Sequence, residues 1–471
     1  MLTLDHPGCL ADRVGEHGID PGTIAPGSPA AHRAAEITER LEASRGTGWE
    51  RWRLLADPDG MRGEHLAAVS ELAEGCRGRF ENLVVLGIGG SGLGNIALQG
   101  SLTPPTHNLL PADRRSGPRV FVLDNIDPAH FAAVMDLCPP ERTLFNVISK
   151  SGETAETAAQ FMIVRDRLTR ALGGDAAGHV VAITDPDKGT MRSICDAEGY
   201  ATLPVPEGVG GRFSVLSPVG LFSAAMAGID IAALLEGAHD METRCRERAL
   251  HDNPAALLAT ALVYLGTGCY RDGGHAKPNH VMLAYCNALA PWADWYRQLW
   301  AESLGKRTTL DGDEIFAGFT PIKALGATDQ HSQIQLYREG PNDKVICFLE
   351  VEDFGPDAGG VVMPGGFGVE ALHYLEGKRM ADLLAAEKRA TEYALAESQR
   401  PTLTIRFPRV DARHVGEFIM LWQMATAYAG RMLHVDPYDQ PAVETGKKAT
   451  FGLMGRAGYE RWSQKVGAML S

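Results

Sequence analysis

Apolar and polar positions alternate in a regular way along most of the chain. From residue 80 onward, short apolar runs at 83–88 (LVVLGI), 120–123, 144–148 and 180–183 are separated by stretches with helical spacing, such as 157–172. Runs of four to six apolar residues bounded by turn residues read as strands buried on both faces. Strand, helix, strand at this spacing predicts a parallel sheet with helices on both faces. A second run follows residue 250. It has strands at 281–285, 345–351 and 402–407, and helices at 291–304, 329–337 and 367–398, the last with a break. A helix over 412–433 follows an Asp411 cap. Its apolar residues cover more than one stripe, which calls for a deep core or a partner surface.

The fold class is therefore α/β: two units, each a parallel sheet flanked by helices, with extra N- and C-terminal helices. Residues 1–27 are rich in Gly and Pro and predicted irregular, and Ser28-Pro29 opens the N-terminal helix. The stretch 237–255 is helical and charged, so the two units should pack tightly. The predicted boundaries are 1–45, 46–240, 241–435 and a C-terminal helical segment 436–471.

Composition narrows the function. At 471 residues the chain exceeds one ordinary core. Its 45 Lys plus Arg against 59 Asp plus Glu give a net charge of −14, which argues against nucleic acid or an anionic membrane as partner. A small anionic substrate remains open, since a few local donors can hold one. No two of the eight Cys stand in C-x-x-C spacing, and His does not cluster with them. Reduced thiols in a cytoplasmic protein are the expectation, with no metal site. The start MLTLDHPGCL lacks the pattern of a secretion signal, and the apolar stretch 215–235 is broken by Pro218, Gly220 and Asp230, so a buried helix is expected there.

The stretch "VVLGIGGSGLG", 84–94, runs from a strand into a glycine turn, with Gly87, Gly89 and Gly92 in G-x-G-x-x-G spacing. A dinucleotide fold needs an acidic residue roughly 20 residues further on. The candidate, Asp124, lies 32 residues past Gly92, a poor fit. A tight strand-to-helix turn and a phosphate-binding loop explain the glycines equally well, and the Ser91 hydroxyl tilts toward phosphate. "NVISKSGETAET", 146–157, crowds Ser149, Lys150, Ser151 and Thr154 into the turn before a helix. Hydroxyls, amides and a helix start suit a phosphate dianion. An ordinary helix cap would use the same residues, and Glu153 and Glu156 would oppose an anion if they pointed inward.

Acid–base candidates follow. In "APWADWYRQLWAESLGK", 290–306, Trp292, Trp295, Leu299 and Ser303 form one helical stripe, while Gln298 and Glu302 share a face. Glu302, beside bulky apolar residues near a helix end, suits a general base, although a surface Glu would look the same. "GVGGRFSVLSPVG" puts Arg212 after Gly210-Gly211, where backbone can approach a ligand and a cation can offset developing charge. "GATDQHSQ" holds His331. "DPYDQPAVETGKK" places Gln440, Glu444 and Lys447 on one face of a helix starting at Pro441.

Taken together and in order, "GIGGSGLG", "ISKSGET", "GVGGRFSVLSPVGL", "ESLGK", "TDQHSQ" and "DQPAVETGK" closely resemble the glucose-6-phosphate isomerase (phosphoglucose isomerase) family, over residues 80–450. The resemblance implies two sugar-isomerase (SIS) domains and an aldose–ketose isomerase of glycolysis and gluconeogenesis that needs no cofactor. It implies that Glu302 moves the proton between C1 and C2, that His331 assists ring opening with Lys447 at the ring oxygen, and that Arg212 steadies an enediolate. Gly90, Ser91 and the Ser149–Thr154 loop, with Lys150 and Ser151, would hold the 6-phosphate. Gly211, Gln298 and Gln440 would contact the sugar. It further implies a homodimer in which His331 serves the neighbouring active site. The chain departs from the family pattern at Gly152-Glu153 and Pro441-Ala442. Two other readings stand beside this one: a non-catalytic phosphosugar-binding SIS protein, and a dinucleotide-dependent oxidoreductase.

Overall fold

The computed structural model describes residues 1–470. The chain opens on a short strand, β1 (Thr3–Asp5), and a helix, α1 (Pro29–Ser44), whose first turn is capped by the Ser28 hydroxyl accepting from Ala31 N. The first sheet comprises β2 (Asn82–Leu86), β3 (Arg119–Leu123), β4 (Thr143–Ile148), β5 (Val180–Thr184) and β6 (Ala201–Pro204). Its order is β3-β2-β4-β5-β6 and every pair is parallel. Strands β2, β4 and β5 are buried at every position, as their unbroken apolar runs predict.

Helices α2 (Ile231–Arg244) and α3 (Pro254–Thr267), with a turn between them, carry the chain to the second unit. Strand β7 (Asn279–Ala284) leads into α4 (Ala290–Leu304), a hairpin of β8 (Lys306–Thr308) and β9 (Glu314–Ala317), then β10 (Thr320–Leu325), β11 (Lys344–Val351) and β12 (Thr402–Phe407). The order is β1-β12-β11-β7-β10. This sheet is parallel except for its edge, where β1 runs antiparallel to β12. The N-terminus is thus partly ordered in strand form, and it belongs to the second sheet, not to a separate extension.

Two further predictions change. Within 329–337 a tight turn, Thr328–His331, precedes a short helix, Ile334–Glu339. Of 367–398, only Met380–Glu397 is α-helical, because Gly366, Gly368 and Gly377 take positive φ ahead of it.

Helix α5 (Ala412–Leu433), capped by Asp411, is the central strut. It is buried on almost all faces by its own chain, so its apolar crowding needs no partner surface. Trp422 is fully buried, 4.4 Å from Tyr296 and 5.7 Å from Trp300 of α4, centroid to centroid. Burying each such side chain stabilises the fold by ~1.5–3 kcal/mol. This packing fixes α4, and therefore Glu302, against the core. Beside it, the fully buried Arg53 donates to Glu242 at 2.7 Å, to Glu42 at 2.5 Å and to Leu41 O. Removing one partner from such a group costs ~3–5 kcal/mol. Arg431, at the end of α5, pairs with Glu50 at 2.9 Å. Seven of the eight Cys are buried and only Cys269 is exposed; none is paired. Among the described residues no helix is long and apolar enough to cross a membrane.

Candidate active site

In the first sheet, parallel strands deliver the predicted loops from their carboxyl ends, where open α/β sheets place ligands. The turn Gly89–Ser91 follows β2, the Ser149–Thr154 turn follows β4, and Gly210–Arg212 lies beyond β6. The first and third of these touch through backbone alone: a Cβ on Gly90 would lie 2.1 Å from the Gly211 carbonyl oxygen. Gln298 of α4 closes over the same turn, its amide nitrogen 3.0 Å from where a Gly89 Cβ would stand.

Arg212 is the hub. Its guanidinium has five N–H donors in a fixed fork. Nε donates to Ser303 Oγ at 2.7 Å. Nη1 donates to Gln440 Oε1 at 2.8 Å and lies 3.5 Å from Glu302 Oε1. Nη2 donates to the carbonyls of Pro437, at 2.6 Å, and Asp439, at 3.1 Å. Burial pulls the Arg212 pKa below its usual value, and the Glu302 carboxylate opposes that shift.

Glu302 sits in the last turn of α4, one turn after Gln298 and on the same face as predicted. Gln298 Nε2 donates to Glu302 Oε2 at 2.9 Å. One oxygen is thus held by an amide and the other faces a cation, while the carboxyl remains a quarter exposed. A carboxylate so fixed can take a proton from a ligand, and the buried guanidinium beside it can meet negative charge as it develops. A cavity of about 640 Å³ borders Glu302 and Gln440.

In the serine–threonine loop, position 152 favours glycine for a steric reason. Its φ is +78°, and a Cβ there would lie 2.3 Å from Met191 N. The buried Ser149 hydroxyl accepts from Gly152 N at 3.0 Å, which shapes the turn. Ser151 accepts from Glu153 N at 3.1 Å. Thr154 holds the N-cap position of the next helix, Ala155–Leu172, yet makes no cap hydrogen bond, so its hydroxyl stays available. Glu153 is exposed and pairs with Arg456 at 3.0 Å, and with Glu156 it borders the same cavity as Ser151 and Thr154. Lys150 reaches over the Trp49 ring, 5.6 Å from its centroid.

Lys447 lies on α6 (Val443–Leu453), which pairs with α7 (Glu460–Leu470) as a helical hairpin. The helix begins two residues later than predicted, so Gln440 precedes it. Glu444 and Lys447 share a face and pair at 2.8 Å. A cavity of about 410 Å³ joins Lys447 to Ser151 and Thr154.

His331 stands apart. It is exposed, on the turn after β10, whose last residue pairs with the last residue of β7. Its neighbour Gln330 accepts from Tyr285 at 2.9 Å, also at the β7 end. Glu302 lies at the opposite end of α4, roughly 18 Å along the axis from its start at 1.5 Å per residue. Within one chain, then, Glu302, Arg212, Gln298, Gln440, Gly90 and Gly211 converge. Lys447 joins the serine–threonine loop, and His331 joins neither group. The sequence reading placed Ser303 only on the apolar stripe; a lone hydroxyl among tryptophans was the signal for its bond to Arg212. The Asp439 carbonyl, being backbone, left no signal. Among the described residues no cluster of three His, Cys, Asp or Glu could hold a metal ion.

The two α/β units bring a carboxylate held by an amide beside a buried arginine, an arrangement able to support acid–base chemistry. Residues 70–455 match the family model described as phosphoglucose isomerase. The chain is 42 % identical over 463 residues to a glucose-6-phosphate isomerase of Carboxydothermus hydrogenoformans, covering 98 % of this chain and 95 % of that one. It is 44 % identical to a glucose-6-phosphate isomerase of Rubrobacter xylanophilus, covering 90 % and 94 %. Among solved structures, a hypothetical protein from Thermus thermophilus superposes with a TM-score of 0.83 at 33 % identity, over 97 % of this chain and 100 % of that one. A glucose-6-phosphate isomerase from Chlamydia trachomatis shares the fold, with a TM-score of 0.78 at 22 % identity, over 94 % and 88 %. The chain belongs to the phosphoglucose isomerase family.

Proposed function

We propose that this protein interconverts glucose 6-phosphate and fructose 6-phosphate by proton transfer between C1 and C2. The observation that carries the reading is Glu302, held by Gln298 on one oxygen and facing Arg212 with the other. The 6-phosphate binds Ser149, Lys150, Ser151 and Thr154 with Ser91, and Gly90, Gly211, Gln298 and Gln440 line the sugar. His331 and Lys447 assist opening of the ring. Glu302 then removes the C2 proton of the open aldose. The C–H electron pair becomes the C1–C2 double bond, and the carbonyl electrons move onto O1 as a cis-enediolate beside Arg212. Transfer of the O2 hydroxyl proton to O1 and return of the carbon-bound proton to C1, with a carbonyl re-forming at C2, gives the ketose. Every atom is conserved, so no redox cofactor is called for.

The separation of His331 from Glu302 along α4 supports a homodimer in which His331 of the partner subunit completes each site. Unpaired thiols, most of them buried, suit a reducing cytoplasm. The direct test is a coupled assay of glucose 6-phosphate formed from fructose 6-phosphate. Formation at catalytic rates is the expected result; its absence, with sugar phosphate still bound, would instead favour a non-catalytic binding protein.

A further inference from the structure

Lys306 carries the inference. It follows Gly305 at the end of α4, its side chain is 6 % exposed, and it borders the cavity next to Glu302. An ammonium has three N–H donors. Two of them have carbonyl acceptors in the same chain, Glu302 O at 3.1 Å and Asp439 O at 2.5 Å, and the Asp439 carboxylate pairs with the charge at 2.9 Å. A charge held out of water needs such partners. The Asp439 carbonyl also accepts from Arg212 Nη2, so two buried cations converge on one backbone oxygen.

We infer that Lys306 is a positioning residue for the proton transfer, clamping the last turn of the base helix to the segment that carries Gln440. The inference rests on the proposed isomerase reading. Through the Glu302 carbonyl, Lys306 fixes the backbone from which the base projects. Through Asp439 it fixes Gln440, whose Oε1 occupies Arg212 Nη1. Base, guanidinium and Gln440 are thereby locked in one geometry. Without the clamp, Arg212 is the remaining side-chain donor to the 437–440 segment, and the Glu302 carbonyl, in the last turn of a helix, loses this donor. A displacement of about 1 Å between base and substrate can cost ~10²-fold in rate. The phosphate loops belong to the first sheet and do not touch Lys306, so the loss should fall on turnover and spare affinity.

The test compares wild type, Lys306→Met, Glu302→Gln and the double variant. Each is assayed for fructose 6-phosphate conversion, with folding checked by circular dichroism and melting. The expected result is a kcat lowered ~10–100-fold in Lys306→Met with KM within about threefold, and less than about threefold further loss when the change is added to Glu302→Gln. A residue that acts by placing the base has little left to place once the base is gone. Unchanged kcat in Lys306→Met, or a full multiplicative loss in the double variant, would overturn the inference. If Lys306→Met does not fold, Lys306→Gln, uncharged and one atom shorter, takes its place under the same criteria. A wild type without turnover would remove the isomerase reading itself, and the inference with it.

Discussion

Beyond the ends of β2, β4 and β6 the first sheet leads into Gly89–Ser91, Ser149–Thr154 and Gly210–Arg212, short turns that carry backbone donors and, in the first two, hydroxyls. The second sheet does otherwise. Strand β7 is followed by α4, and the carboxylate appears only in that helix's last turn, braced by Trp292, Trp295 and Trp300 against α5. The first unit thus offers loops that can hold an anion, and the second offers a side chain on a rigid rod. Holding a dianion asks for many donors of modest precision, whereas moving a proton asks for one group placed closely. On the proposed isomerase reading the two units divide the site along that line.

The sharpest way to break this division is Glu302→Gln, which keeps shape and removes the proton acceptor. Turnover should fall by ~10²–10⁴-fold while sugar-phosphate binding survives. A variant with more than a tenth of wild-type activity would deny the second unit its role. Next in size is the loop. Ser149→Ala with Thr154→Ala deletes two hydroxyls, each worth ~1.5–3 kcal/mol to a charged partner. The KM for fructose 6-phosphate should rise by about 100-fold or more with kcat little changed. An unaltered KM would leave these hydroxyls only the shaping of the turn.

A third experiment asks whether the second unit serves its own chain. Subunits of Glu302→Gln and His331→Ala are mixed and allowed to exchange. If His331 completes the partner's site, the mixed dimer holds one intact site, and activity returns to about a quarter of wild type. Exchange without recovery would place His331 within its own site. The smallest effect concerns acid stability. Buried His280 accepts from Trp300 Nε1 at 3.1 Å and stacks on Phe319, and burial pushes its pKa down to about 3. Below pH 6.5 the unfolded chain takes up a proton that the folded one refuses. Stability therefore falls as pH drops from 6.5 toward 3, by about 2 kcal/mol at pH 5. His280→Phe should flatten that limb in denaturant titrations; an equally steep limb would assign the loss elsewhere.

Sequence alone disclosed the central strands and α5 because burial on all faces writes unbroken apolar runs. It missed β1, β6, β10 and the β8–β9 hairpin, which are short or exposed and have polar residues interspersed. The candidate site was legible wherever its chemistry lies in side chains arranged in motifs. It was illegible where backbone atoms act, as at the Pro437 and Asp439 carbonyls. Lys306 stayed hidden because a buried lysine looks like any other in a polar stretch; only its two carbonyl acceptors and the Asp439 carboxylate beside it distinguish it.

The cysteine pattern turns the molecule into its own reporter. Burial drives the thiols of Cys9, Cys245 and Cys347 up to about 12, so they stay protonated as well as enclosed. Cys269 alone faces solvent. A maleimide dye should attach once per native chain, at a fixed place. The remaining seven thiols should react only as the chain opens, so the count of labels over time becomes a clock for unfolding.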